Sequence, residues 1–419
     1  MNFLRRMHHL CKKLKGMSQN KLLNDPIYGL VDMPSGLIFK LIEHKYFQRL
    51  RRIKQLGLTD YVYPGALHTR FHHALGATHL MKKAITILRQ KGVSISKAEE
   101  DGVKIGILLH DIGHGPFSHA LEGSILPFHH ESLSSMIMDA LNKEFEGQLD
   151  LAISIFKGEY HKTFLHELIS SQLDMDRMDY LKRDSFFTGV QEGAIGHERI
   201  ISMLNVVDNH LVVEEKGIYS IEKFLVARRL MYWQVYLHKT VIIAEQMLIR
   251  TVQRAKELLQ ADPDYFPCSG LLENLLKKKS ESDFENPQKL IEAFTELDDY
   301  DVFYSLKKWQ QSSDKILSYL ATSIISRRLF RIELSHEEFD DEKKMKIGTK
   351  LRKKFGEEIN TKHLIISGSE HNTAYSTSKK EIKIMMKSGK VKPLSEVSHD
   401  IIREQIITKY YLCYPKDLK

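Results

Sequence analysis

Cysteine is scarce in this 419-residue chain: Cys11, Cys268 and Cys413 stand far apart. No Cys-x-x-Cys pair exists, which argues against a thiolate zinc site and against a disulfide framework. The sparse, odd count fits a reducing cytoplasm, and cytoplasmic localisation is the expectation. No apolar run approaches the roughly 20 residues a spanning helix needs, so no membrane partner is expected. The first residues, Met1 to Met17, are basic and interrupted, without the apolar centre of an export signal. Proline is also rare, at 10 residues. What is present is ordinary for a globular chain: 42% hydrophobic and 28% charged residues support a sizeable core and argue against disorder. The length implies two or three structural units. The net charge of +8 and pI of about 9.0 favour anionic partners such as nucleotides, nucleic acid or acidic lipid. An ordinary soluble surface accounts for so modest an excess equally well.

Periodicity divides the chain into a basic segment at 1–23, a helical body at 24–325 and an α+β lobe at 326–419. Pro26, Gly29, Pro34 and Gly36 mark 18–35 as extended or turn. Helical spacing predicts helices over 36–55, 70–91, 97–111, 130–145, 163–187 and 220–260, with a hairpin over 206–219 turning at Asn209. Beyond 325, short strands are expected at 328–335, 363–367, 381–386 and 409–414, around one helix at 341–355.

Nine of the 21 histidines crowd between His68 and His130. A lone histidine on an apolar face is usually a packed core residue; a cluster this dense asks for metal ligation or proton transfer. The helix over 97–111 turns almost wholly apolar and then delivers His110-Asp111, followed at once by Gly113-His114-Gly115-Pro116. Adjacent side chains diverge by about 100° in mid-helix, but the glycines and proline mark an end where both can face one ion. An unpaired carboxylate after so apolar a run costs several kcal/mol, which a cation would remove. His73 and Asp176, on two other helices, complete a set of two imidazoles and two carboxylates suited to a hard or borderline ion. Asp176, Tyr180 and Asp184 follow at i, i+4 and i+8 and share one helix face. The competing reading of that helix is a solvated face with pairs such as Asp179–Arg183.

These residues carry a family resemblance. His73, His110-Asp111 and Asp176 form the H…HD…D signature of HD phosphohydrolases. Gln55-Leu-Gly, Tyr-Pro-Gly-Ala, Thr-Arg-Phe-His-His-Ala-Leu-Gly76, the run from His110 to His119, His130-Glu131, and Asp174 to Asp184 resemble one branch. It is the deoxynucleoside triphosphate (dNTP) triphosphohydrolase branch, which holds the mammalian SAM-and-HD-domain enzyme and bacterial dGTPases. The likeness covers roughly 24–260. It implies a mainly α fold, an HD-domain helical core with a smaller C-terminal α+β lobe, and one divalent ion (Zn, Mn, Fe, Ni or Mg) on His73, His110, Asp111 and Asp176. It implies that His114, His119 and His130 surround the α-phosphate and move protons, with Glu122 orienting an imidazole. Arg70, Arg177, Arg228 and Lys239 would hold the triphosphate, and Gln55 and Asp184 the sugar 3′-hydroxyl. Tyr180 would pack under a deoxyribose; Tyr236 and His238 would lie near sugar and base. Arg177 stands where the mammalian enzyme has lysine, and His72 where the branch has an acid. The implied reaction releases triphosphate and a deoxynucleoside. The implied assembly is a homo-oligomer, a dimer or tetramer.

Two other readings stay open on the sequence. One is an HD hydrolase of monophosphates, cyclic nucleotides or alarmones. The other is a nucleotide- or nucleic-acid-binding regulator, whose support is the run Lys379, Lys380, Lys383, Lys387, Lys390 and Lys392. Such a run is usually a solvated face.

Overall fold

A computed structural model describes residues 20–262, 269–278, 280, 283–357, 359–372, 381–398 and 407–418. A short antiparallel hairpin, β1 (Lys21–Asp25) and β2 (Gly29–Met33), opens the described chain. The body is helical: α1 (Leu37–Glu43), α2 (Arg70–Gln90), α3 (Lys97–Leu109), α4 (His130–Glu144), α5 (Asp150–Phe156), α6 (Thr163–Ile169) and α7 (Met175–Thr188). It continues with α8 (Ile218–Met231), α9 (Lys239–Ala261), α10 (Pro287–Glu296), α11 (Asp299–Trp309) and α12 (Lys315–Ile325). The lobe that follows carries one long helix, α13 (Asp341–Phe355), among strands. The fold is thus mainly α with a smaller sheet-containing C-terminal region.

Capping explains where the helices begin and break. Thr69 starts α2 with a capping box completed by His72, whose Nδ1 accepts from the Thr69 amide at 3.2 Å. His72 therefore serves the helix start. Ser96 and Glu99 form the same device at α3. The single helix expected over 163–187 is two, because Asp174 caps a fresh start by accepting from the Arg177 amide at 2.7 Å. The one expected over 220–260 is also two: a π-helical turn, Tyr232–Tyr236, and the N-cap His238 part α8 from α9. The helix expected over 36–55 breaks at His44, which is extended.

β3 (Leu204–Val207) and β4 (His210–Glu214) form the hairpin, with Asp208 and Asn209 at φ 48° and 65° in its turn. The lobe is not detached from the body. Its β7 (Lys383–Met385) pairs in parallel with β4 and carries β8 (Val391–Pro393), giving the order β3-β4-β7-β8. Its second sheet, β5 (Arg331–Ser335), β9 (Ile407–Tyr414) and β6 (Ile366–Asn372), shares one core with α9 and α12, through Phe330, Ile366, Leu412 and Cys413. Of the three cysteines, Cys11 and Cys268 lie outside the described residues; Cys413 is buried, and burial pushes its thiol up. Lys383, Lys387, Lys390 and Lys392 lie in and beside β7 and β8, while Lys379 and Lys380 fall outside the described residues. Among the described residues no helix is long and apolar enough to cross a membrane.

Two apolar cores flank α2. Phe71, Ala74 and Leu75 belong to one, and Ala77, Leu80, Met81 and Ala84 to the other. His73 sits where the helix passes between them, wholly buried. Gly76, one turn on, lets α7 come close: a Cβ there would stand 2.0 Å from Asp179 Oδ1 and 2.2 Å from Arg183 Nη2. Gly113 does the same for α4, since a Cβ would meet the His130 carbonyl at 2.3 Å. These two approaches bring α7 onto α2, and α4 onto the loop that follows α3.

Candidate active site

The four expected ligands converge. His73 Nε2 lies 3.3 Å from His110 Nε2 and 3.1 Å from Asp176 Oδ1. His110 Nε2 lies 3.5 Å from Asp176 Oδ1 and 3.3 Å from Asp111 Oδ1, and His73 Nε2 lies 3.6 Å from Asp111 Oδ2. Donors about 2.1 Å from a shared ion stand roughly 3.0–3.4 Å apart, so these separations suit one divalent cation. His110 is the C-cap of α3, which allows it and Asp111 to face the same point.

The tautomers agree. His110 Nδ1 donates to the Ile107 carbonyl at 2.6 Å, and His73 Nδ1 donates to Asp179 Oδ2 at 2.8 Å. A carbonyl can only accept, so His110 carries its proton on Nδ1 and turns the Nε2 lone pair inward; Asp179 does the same for His73. Burial opposes charge on His73, but the hydrogen bonds to Asp176 and Asp179 outweigh it and raise the imidazole to about 10. Burial likewise opposes charge on His110, and Asp111 with Asp176 outweighs it. The cluster therefore favours an added positive charge, and the donor set fits a metal ion.

Beyond the ligands, Asp179 also accepts from Arg183 Nε at 2.9 Å and Nη2 at 3.0 Å, and Arg183 Nη1 reaches Asp25 at 2.9 Å. The Asp179–Arg183 pair, open to a solvated reading in the sequence, is fully buried and orients a ligand. Burial opposes it, but Arg183 and the His73 imidazole hold Asp179 at about 2.

His114, His119, His130 and Glu122 form a second group beside the first. His114 Nε2 lies 3.4 Å from Asp111 Oδ1. The His114 ring stacks on His130, centroids 3.9 Å apart and planes at 14°, and His119 meets both edge-on. The nitrogens of the three rings lie close enough together to pass protons or to hold a cation. Glu122 accepts from His119 Nδ1 at 3.1 Å and from His130 Nδ1 at 2.9 Å and its amide at 2.8 Å. His119 foremost holds the Glu122 carboxyl well below its usual range. Burial, then the Arg70 guanidinium, push the His114 imidazole well down.

Arg70 pairs with Asp111 and donates to Ser118 Oγ at 2.8 Å. Arg177 pairs with the buried Asp174, and Arg228 lies 5.8 Å over the Tyr232 ring. The Nε of Arg177 and of Arg228 is buried without a protein partner, as is Gln55 Oε1. Tyr180 packs edge-on to Tyr236 at 6.2 Å; burial foremost raises its hydroxyl. Both Asp184 oxygens are engaged, by His68 Nε2 at 2.7 Å and the Tyr236 hydroxyl at 2.7 Å, and lone pairs remain for a further donor. His238 accepts from the Thr240 amide at 3.2 Å and faces Tyr63 edge-on. Lys239 lines a cavity of about 190 Å³ with His238, Trp233, Glu370, Lys409 and Tyr411, none of which is among the four expected metal ligands. His68, Asp174, Ser118 and Asp179 escape the sequence reading as site residues. His68 lay within the histidine cluster; Asp174 and Asp179 lay within the acidic helix but carried no separate signal.

Residues 70–184 match the HD domain, and residues 195–267 match the HD associated region. An uncharacterised protein of Bacillus subtilis, YwfO, is 31% identical over 96% of this chain and 94% of its own. A deoxynucleoside triphosphate triphosphohydrolase SAMHD1 homolog of Dictyostelium discoideum is 28% identical over 72% of this chain and 64% of its own. The crystal structure of a phosphohydrolase from Bacteroides thetaiotaomicron superposes with a TM-score of 0.90 at 47% identity, covering 94% of this chain and 99% of that one. The chain therefore belongs to the HD-domain phosphohydrolase family.

Proposed function

We propose that this enzyme hydrolyses deoxynucleoside triphosphates to a deoxynucleoside and triphosphate by attack at the α-phosphorus. The observation that carries this reading is a pair of buried guanidinium Nε–H groups without protein partners, on Arg177 and Arg228, close to Tyr180 beside a four-ligand centre. Buried donors left unpaired cost free energy until an anion takes them. A chain of three phosphates uses several such donors, whereas a monophosphate or cyclic phosphate uses fewer.

A divalent ion held by His73, His110, Asp111 and Asp176 would supply Lewis acidity toward a phosphoryl oxygen. The residues do the rest. Arg70, Arg177 and Arg228 stabilise charge spread over phosphate oxygens in the transition state, where such clamps act most strongly. His114, His119 and His130 stand where protons must move, and Glu122 holds two of those rings in place; a positioned imidazole contributes about 10²–10⁴-fold. Tyr180 and Tyr236 make an aromatic floor under the sugar that favours deoxyribose, and Gln55 and Asp184 offer acceptors to its 3′-hydroxyl. His238 lies near the base. Relatives named as dNTP triphosphohydrolases support the same substrate class.

The test is a panel of dNTPs and NTPs against several divalent metals, with every product identified. Deoxynucleoside with intact triphosphate is expected. Orthophosphate or pyrophosphate as the product overturns the reading.

A further inference from the structure

Two consecutive residues that are not glycine, Phe117 and Ser118, both stand at φ 55° on the loop that follows His110-Asp111. Such backbone persists only where its surroundings over-determine it. Those surroundings come from a distant part of the chain. The Phe117 amide donates to Asp299 Oδ1 at 2.7 Å, and the Lys54 amide donates to Asp299 Oδ2 at 2.9 Å. The Phe117 ring packs on Phe303 of the same helix, α11, with centroids 5.2 Å apart. Ser118 Oγ then donates to the Lys54 carbonyl at 2.7 Å and accepts from Arg70 Nε at 2.8 Å, and Arg70 pairs with the ligand Asp111.

Arg49 grips the loop from a second direction. Its wholly buried guanidinium donates to the carbonyls of Ile112 at 3.0 Å and His114 at 2.6 Å. It also donates to those of Phe294 at 3.2 Å and Leu297 at 3.1 Å, just before Asp299. Arg49 therefore ties two carbonyls of the strained loop, those of Ile112 and His114, to two carbonyls of the segment 294–299, and Asp299 ties the Phe117 amide of the loop to the Lys54 amide.

We propose that Asp299 and Arg49 are positioning residues, which set the loop carrying Asp111, His114 and the Ser118–Arg70 contact from outside the HD domain itself. Apolar packing alone would hold a loop at less cost. Here a carboxylate 3% exposed is spent on backbone amides, and burial pushes its carboxyl up to about 6 despite them. The proposal rests on the reading of Asp111 and Arg70 as active-site residues.

Asp299→Asn in the full chain tests it. One amide oxygen still accepts from Phe117, but the side-chain NH₂ then faces the Lys54 N–H, donor to donor. Hydrogen exchange in the metal-free protein should rise in peptides spanning 111–121 and 50–56 and stay unchanged in α2 and α7. With metal loaded, kcat for dNTP should fall about 10–100-fold with KM held within about 3-fold. Combining the change with Ser118→Ala should lose no more than the worse single variant, because both act through one contact. Asp299→Ser serves if the Asn variant does not fold, and Arg49→Lys tests the other arm. Unchanged exchange at 111–121, or a loosened loop with wild-type kcat, overturns the proposal. So does a loss that multiplies with Ser118→Ala. Should the wild type leave dNTPs untouched, the proposed substrate fails, and the exchange pattern alone still decides whether Asp299 holds the loop.

Discussion

At the scale of single residues, the imidazole nitrogens are aimed by what lies behind them. The convergence of His73, His110, Asp111 and Asp176 was legible in the sequence, because their types and order form a pattern that packing alone does not produce. Asp179 was not legible, because an i,i+4 acid–base pair on a charged helix reads the same whether it is solvated or buried. Only the approach of α2 shows that its carboxylate accepts a hydrogen bond from His73 Nδ1 at 2.8 Å. Replacing that carboxylate by a neutral amide weakens the hydrogen bond that orients the ring and lowers the ring's basicity. Asp179→Asn should cost about 10–100-fold in metal affinity while leaving all four ligands in place, read by titration of the apo protein with Mn²⁺ or Zn²⁺. Wild-type affinity would show that the pair is structural only.

At the scale of elements, helix starts decide the geometry. Asp174 and His238 each open a new helix inside what hydrophobic spacing alone makes one, and so aim Asp176 and Tyr236 inward. The apolar stripe carries no sign of such breaks; the capping residues do. Close approach was also hidden, because a glycine in a helical pattern is ambiguous until its neighbour is known. Gly76→Ala should push α2 from α7 and cost about 1–3 kcal/mol in unfolding experiments, with metal affinity falling alongside it. An unchanged midpoint would contradict the packing described. The start of α3 supplies a pH test. Burial alone would raise Glu99, but Lys162, the Ser96 amide and Tyr160 outweigh it and lower the carboxyl from 4.5 to about 2. A depressed folded-state value stabilises above the unfolded one, and that contribution is lost as pH falls toward 2. Glu99→Gln should therefore unfold at a lower temperature than wild type near neutrality, with the gap closing between pH 4.5 and about 2. A gap independent of pH would contradict the assignment.

At the scale of the whole molecule, the helical body and the α+β lobe were both visible as a change of texture near residue 325. Their union was not. The parallel pairing of β4 with β7 joins residues 212–214 to 383–385, and no local pattern announces so distant a partner. The grip of Asp299 on the Phe117 turn is hidden for the same reason. The sequence and the structure meet on one centre, where His73, His110, Asp111 and Asp176 converge beside three histidines and the buried, unpartnered Nε–H groups of Arg177 and Arg228. The most direct measurement is product analysis by ³¹P NMR of dNTP incubated with the metal-loaded enzyme, its chelator-stripped form and Asp111→Ala. Intact triphosphate and deoxynucleoside should appear with the loaded enzyme alone. Orthophosphate or pyrophosphate as products, or equal turnover by the stripped or substituted protein, would contradict the account.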